Sequence, residues 1–144
     1  MYEITYYSIA KPDLDAEDIG SILTTARAFN AKQGIAGCLL FHDHQFIQIL
    51  EGDRAVLEEL LSHIKKDTRH HTVFVLSDSE KEKRTFSDWT MAFRELSNED
   101  MAGMKEELFI NNFLTFSELA SKPTRTVRTF WERVQRLLTD EYTR

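Results

Sequence analysis

Polar and apolar positions alternate from Tyr2 to Tyr7, with Tyr2, Ile4 and Tyr6 on one face and Glu3, Thr5 and Tyr7 on the other, the period of a β-strand. Beyond Ser8 to Pro12 the period becomes helical: Ile19, Ile22, Leu23, Ala26 and Phe29 fall on one face. Asp15 is placed to cap this helix. Asp18 sits at the third helical position, near the positive dipole end, and Leu14 and Ile19 have the spacing of a hydrophobic staple. Gly34 is placed to stop it. Gly37 introduces an apolar run, Cys38 to Phe41, and after a short polar turn a second run follows from Gln45 to Leu50, which predicts a hairpin. The second strand is apolar on both sides, Phe46 and Leu50 against Ile47 and Ile49, so both faces of the sheet are expected to be covered.

A second helix is predicted after Gly52, with Asp53 as its cap, Val56, Leu57, Leu60, Leu61 and Ile64 on its inner face, and Lys65 and Lys66 at its C-terminal end. Val73 to Leu76 is a short strand, Asp78 to Arg84 a charged connection, and Phe86 to Phe93 a last strand with Trp89, Met91 and Phe93 on one face. The order βαββαββ predicts a ferredoxin-like α+β fold: a mixed sheet with two helices on one face. The rest of the chain is expected to cover the other. Asn98 to Leu108 and Ser117 to Ala120 read as helical. Thr124 to Thr139 does so more strongly, with Pro123 at its start and an apolar stripe of Val127, Phe130, Trp131, Val134, Leu137 and Leu138. Residues 1–95 thus read as the core and residues 96–144 as a helical extension whose stripe packs on the back of the sheet, binds a partner, or does both.

A chain of 144 residues is the size of one domain, large enough to bury roughly 68–70% of its unfolded surface. Ten Phe, four Tyr and two Trp exclude a disordered chain. One cysteine, Cys38, excludes an internal disulfide framework and fits a reducing compartment, so the cytoplasm is expected. No run reaches the length of a membrane span and the start lacks the pattern of a signal peptide. Net charge is −6. Lys122 to Arg144 carries six basic and three acidic residues, which leaves −9 on the remainder. An acidic body disfavours nucleic-acid binding. Arg125, Arg128, Arg133 and Arg136 in the basic tail either meet an acidic partner or are solvated and locally paired.

Gln48 is the most unusual position, an amide between Phe46 and Leu50 on an apolar face, and its hydrogen-bonding groups need partners. It is either satisfied by its neighbours or faces a ligand. Tyr6 and Asn30, from the first strand and the end of the first helix, converge with Gln48 in the predicted arrangement. A planar ligand between the helices would meet these three along one edge, with Ile22 and Ile64 over its two faces.

The stretches Tyr6-Tyr7-Ser8-Ile9-Ala10, Phe29 to Gly37 (FNAKQGIAG), Phe46 to Gly52 (FIQILEG), Asp67-Thr68-Arg69-His70-His71 and Trp89-Thr90-Met91 resemble, in order and spacing, the BLUF domains, blue-light sensors using FAD. The resemblance covers roughly residues 1–95. It implies a flavin held noncovalently between the two helices, FAD with FMN or riboflavin as alternatives, and Tyr6 and Gln48 as the photoactive pair. In that family, light makes the tyrosine a transient donor of an electron and a proton. The glutamine amide is reoriented or tautomerised, and its new hydrogen bond to the flavin carbonyl at position 4 gives a red-shifted state that decays in the dark. By the same resemblance Asn30 holds the ring's pyrimidine edge, Arg69 and His70 lie close to the flavin, and Trp89 and Met91 relay the signal. Phe29 stands where relatives often carry a polar residue.

The resulting expectation is a short photoreceptor that is not an enzyme, residues 96–144 being too few for a cyclase or phosphodiesterase. It would act through light-dependent contacts with a downstream protein or a second copy of itself. A ferredoxin-like interaction module without flavin is the alternative, and a flavin oxidoreductase a third reading. His42, His44, His70 and His71 lack the spacing of a metal site. Cys38 reads as a small buried apolar residue, and Glu80 to Arg84 as a solvated loop.

Overall fold

The computed structural model describes residues 1–84, 86, 92–95 and 124–143. Within them the order is β1 (Tyr2–Ala10), α1 (Ala16–Gln33), β2 (Ala36–His42), β3 (Gln45–Gly52), α2 (Arg54–Lys66), β4 (His70–Glu80), β5 (Ala92–Glu95) and α3 (Arg125–Thr143). The strands form one sheet in the order β4-β1-β3-β2-β5, antiparallel except for the parallel β2–β5 pair. This is the ferredoxin-like α+β fold expected from the periodicity.

Local chemistry sets each boundary. Asp15 and Asp18 form a capping box: the Asp18 N–H donates to Asp15 Oδ1 at 2.8 Å and the Asp15 N–H to Asp18 Oδ2 at 3.2 Å. At the other end of α1, Gly34 turns left-handed at φ 68° and the Ile35 N–H donates to the Asn30 carbonyl at 2.9 Å. Asp53 caps α2 by accepting from the Ala55 and Val56 N–H groups. The β2–β3 hairpin turns on Asp43 and His44, both left-handed (φ 49° and 60°), the conformation of a two-residue turn whose twist suits the strands. At Gly37 any Cβ would stand 2.1 Å from the Ile49 carbonyl oxygen, so the close approach of β2 to β3 requires glycine there.

The sheet separates two cores. On the front, Tyr2, Ile4 and Tyr6 of β1, Leu39 and Phe41 of β2, and Phe46 and Leu50 of β3 pack with Ile19 and Leu23 of α1 and Leu57 of α2. On the back, Ile47 and Ile49 are fully buried and α3 buries Val127, Phe130 and Val134. Thr126 at the start of α3 meets the hydroxyls of Ser77 and Ser79 on β4 at 2.9 and 2.8 Å, and Arg133 lies 4.3 Å over the Tyr7 ring. The two buried isoleucines of β3 contribute about 1.5–3 kcal/mol each, which fixes the strand's register between the layers.

Three expectations need correction. The fourth strand is His70–Glu80, not the short segment Val73 to Leu76. Its pairing with β1 shifts register between Thr5 and Tyr6 and between Ser8 and Ile9, which interrupts the alternation by which a strand is read. The charged run is not a solvated loop throughout, because the Lys81 side chain is only 4% exposed. The last strand begins at Ala92 among the described residues, and Phe86 lies in a bend, buried, with its N–H donating to Glu51 Oε1 at 2.7 Å. The predicted helices at 98–108 and 117–120, and Pro123, lie outside the described residues. Among those described, no helix is long and apolar enough to cross a membrane.

Candidate functional site

A cavity of about 190 Å³ opens between α1, α2 and the front of the sheet. Ile22, Ala26 and Phe29 line it from α1, Leu60 and Ile64 from α2, and Leu39, Phe46 and Leu50 from the strands. Apolar walls of this kind suit the faces of a flat ring, while a few polar groups select its edge. Tyr6, Asn30 and Gln48 supply that polar element. All three are buried, Asn30 to 1% and Gln48 to 5% exposure, and all three line the cavity.

Their placement follows from the strands. Tyr6 lies directly opposite Gln48 across the β1–β3 pair, and both project to the front by strand alternation. The Tyr6 hydroxyl donates to Gln48 Oε1. With that oxygen engaged, the amide's remaining polar end is its NH₂, a pure donor. Behind them, the buried Thr5 hydroxyl donates to the Gln48 backbone carbonyl at 2.8 Å and holds the peptide from which the amide springs. Burial pushes the Tyr6 phenol well above its ordinary 10.0, and the negative charge of Asp67 adds to the effect. Tyr6 therefore keeps its proton at neutral pH.

Arg69 and His70 stand at the cavity's end, just beyond α2. The Arg69 guanidinium forks onto Asp67, with Nε 3.0 and 3.1 Å from the two carboxylate oxygens and NH2 2.6 Å from Oδ2. Hydrogen bonding from Arg69 holds the Asp67 carboxyl below the usual carboxylate range despite partial burial. His70 is oriented from both sides: Nε2 lies 2.5 Å from the Ile64 carbonyl and Nδ1 2.8 Å from Ser8 Oγ. Because a carbonyl only accepts, Nε2 carries a proton and donates to it.

All seven residues singled out as ring contacts from the sequence (Tyr6, Ile22, Asn30, Gln48, Ile64, Arg69 and His70) line this one cavity. Trp89 and Met91 lie outside the described residues. Thr5, Glu3, Glu51 and Lys81 were not singled out. For Thr5, Glu3 and Glu51 the signal was a polar residue on the sheet face that α3 covers; Lys81 follows the end of β4 and carried none. Cys38 is buried, and desolvation pushes its thiol up to about 12, which leaves it an apolar side chain rather than a nucleophile. Among the described residues no three metal-ligating side chains converge.

The residues present fit a flavin, whose ring has two apolar faces and one hydrogen-bonding edge: isoleucines stand on both helices and buried polar groups on the cavity floor. The comparisons with known proteins point the same way. The family model "Sensors of blue-light using FAD" matches residues 1–92. Photoactivated adenylate cyclase subunit beta of Euglena gracilis is 34% identical over 89 residues, 61% of this chain and 10% of that protein. The chain thus spans about a tenth of the length of that curated relative. The dark-state structure of BlrB, a BLUF protein, superposes with a TM-score of 0.66 at 28% identity, covering 82% of this chain and 90% of that one. The photo-activated state of BlsA gives 0.67 at 27% identity, covering 92% of each chain. An apolar-walled cavity between two helices, a buried tyrosine–glutamine pair across two facing strands and, decisively, a family match over residues 1–92 place the chain in the BLUF family, the sensors of blue light using FAD.

Proposed function

We propose that this chain is a blue-light receptor in which Tyr6 and Gln48 are the photoactive pair and Ile22, Asn30, Ile64, Arg69 and His70 hold the ring. The observation that carries the reading is the Tyr6 hydroxyl donating to Gln48 Oε1 in the wall of the cavity. The flavin, when bound, supplies absorption of blue light and an excited ring able to accept an electron. Tyr6, protonated in the dark, is the donor; as its phenol loses an electron it becomes a strong acid, and the proton's path is the hydrogen bond to Gln48 Oε1. Return of electron and proton leaves Gln48 with its amide turned or tautomerised, and a donor and an acceptor have then exchanged places at the ring's edge. The Thr5 hydroxyl meanwhile ties the Gln48 peptide to β1, so a pull on the Gln48 backbone is shared by the two strands.

FAD is the flavin proposed, with FMN and riboflavin as alternatives, because the polar groups of the cavity meet a ring rather than a tail. Residues 1–95 would form the sensor and residues 96–144 the output, through Trp89 and Met91 and the back of the sheet. The chain would not itself be an enzyme. It would act in the cytoplasm through light-dependent contacts with a downstream protein or a second copy of the chain. The test is the visible spectrum of the purified protein in the dark, after blue light and during recovery. A flavin spectrum that shifts to the red without bleaching and then returns is expected; bound flavin with no reversible shift would overturn the reading.

A further inference from the structure

Three rungs along from Tyr6 and Gln48, the same two strands carry a second facing pair on the opposite side of the sheet. Glu3 of β1 lies directly opposite Glu51 of β3, as Tyr6 lies opposite Gln48. Both carboxylates are fully buried. Like charges directly opposed on an antiparallel ladder drive the strands apart, and a buried charge is tolerated only when paired. Lys81 meets both requirements. Its ammonium is 2.9 Å from Glu3 Oε2 and in contact with Glu51 Oε2. Oε2 of Glu3 has no well-aimed hydrogen bond among the described residues, so the ammonium acts on it as a charge.

The remaining oxygens lead outward. Glu51 Oε1 accepts from the Phe86 N–H at 2.7 Å. Glu3 Oε1 accepts from Ser79 Oγ at 3.0 Å and from the Thr124 hydroxyl. Thr124 is also the cap of α3, for its Oγ1 accepts the Val127 N–H at 3.1 Å. A single ammonium thus ties together the two strands that bear the photoactive pair, and one of its two carboxylates holds the first turn of α3.

We propose that Lys81 is a positioning residue for the Tyr6–Gln48 pair and the point at which that pair is coupled to α3. This rests on the photochemical reading above. Strands are stiff, and three residues along them is about 10 Å. A change in the bond between Tyr6 and Gln48 alters how tightly β1 and β3 are drawn together, and that change reaches Glu3 and Glu51 along the same two backbones. Buried ion clusters add little net stability but depend steeply on geometry, and removing one partner is strongly unfavourable. The cluster is therefore suited to sensing a small change in strand spacing and passing it, through Glu3 and Thr124, to the cap of α3. An apolar contact in the same place would yield without consequence.

The test uses the full chain with bound flavin. Lys81→Met removes the charge and keeps most of the stem, and Lys81→Arg restores the charge. Lys81→Met is expected to retain the flavin, change the dark-recovery rate of the red-shifted state about five-fold or more, and abolish the light-dependent change in hydrogen exchange at residues 124–130. Lys81→Arg is expected to return both towards the unmodified values. Should Lys81→Met not fold, Glu51→Gln leaves a neutral Glu3–Lys81 pair and is expected to move the same two readouts in the same direction. Recovery within about two-fold of the unmodified chain and an unchanged light response of α3, in whichever variant folds, would overturn the coupling while leaving the photochemistry intact. An unmodified chain without a reversible red shift would overturn both.

Discussion

On the front of the sheet two neutral side chains, Tyr6 and Gln48, satisfy one another in the wall of an apolar cavity. On the back, two carboxylates and one ammonium do so within a ring of hydroxyls, a backbone N–H and the first turn of α3. The same two strands present both arrangements, in register and three residues apart. The difference is one of tolerance. A neutral pair exchanges donor and acceptor at the cost of about one hydrogen bond, net about 0.5–1.5 kcal/mol, so it can switch and return. A buried ionic cluster that loses a partner leaves uncompensated charge, so it holds its geometry and passes strain on. On the proposed account, the pair that switches faces the flavin cavity, and the cluster that resists faces the helix.

The largest expected effect is on the resisting side. Lys81→Met leaves two facing buried carboxylates and should cost about 3–5 kcal/mol of stability, read from the denaturant midpoint of flavin-loaded protein. A loss under about 1 kcal/mol would mean that the cluster is solvated, and the contrast between the faces would fail. On the switching side, Gln48→Leu removes the acceptor of the buried Tyr6 hydroxyl and should cost about 1–3 kcal/mol. Flavin absorption should persist while the reversible red shift disappears, and this separates the switch from the scaffold. Thr5→Val removes one hydroxyl behind Gln48 and should cost about 1 kcal/mol; the red shift should remain, since the amide itself is untouched.

The smallest effect is a pH dependence carried by Tyr6 on the front face. Burial raises the Tyr6 phenol above its ordinary 10.0, so the folded state holds this proton more tightly than the unfolded chain does. The resulting stability is fully present below pH 10.0 and is lost as the pH rises from there through the folded value. Denaturant midpoints from about pH 8 to about pH 11 should fall more steeply for the unmodified chain than for Tyr6→Phe. Equal slopes would place the phenol in contact with water.

The front of the molecule is legible in the sequence because its rules are local. Asp15, Gly34 and Asp53 mark helix ends by cap chemistry, and strand alternation alone puts Tyr6 and Gln48 on one face with Asn30 at the end of the covering helix. The back is not. Lys81 sits in a run of charges that reads as solvated, and its pairing in the interior is with Glu3, seventy-eight positions earlier, and with Glu51. β4 is longer than its pattern implies because its register shifts, and the left-handed Thr72 beside one of them, break the alternation. Glu3 and Glu51 look like solvent-facing alternates until a helix is laid over them.

The most direct test of the photoactive pair is the light-minus-dark absorption spectrum of Tyr6→Phe beside the unmodified protein, both loaded with flavin. The prediction is a reversible red shift in the unmodified chain and none in the variant, with flavin bound in both. An unchanged red shift in Tyr6→Phe would contradict the role given to Tyr6.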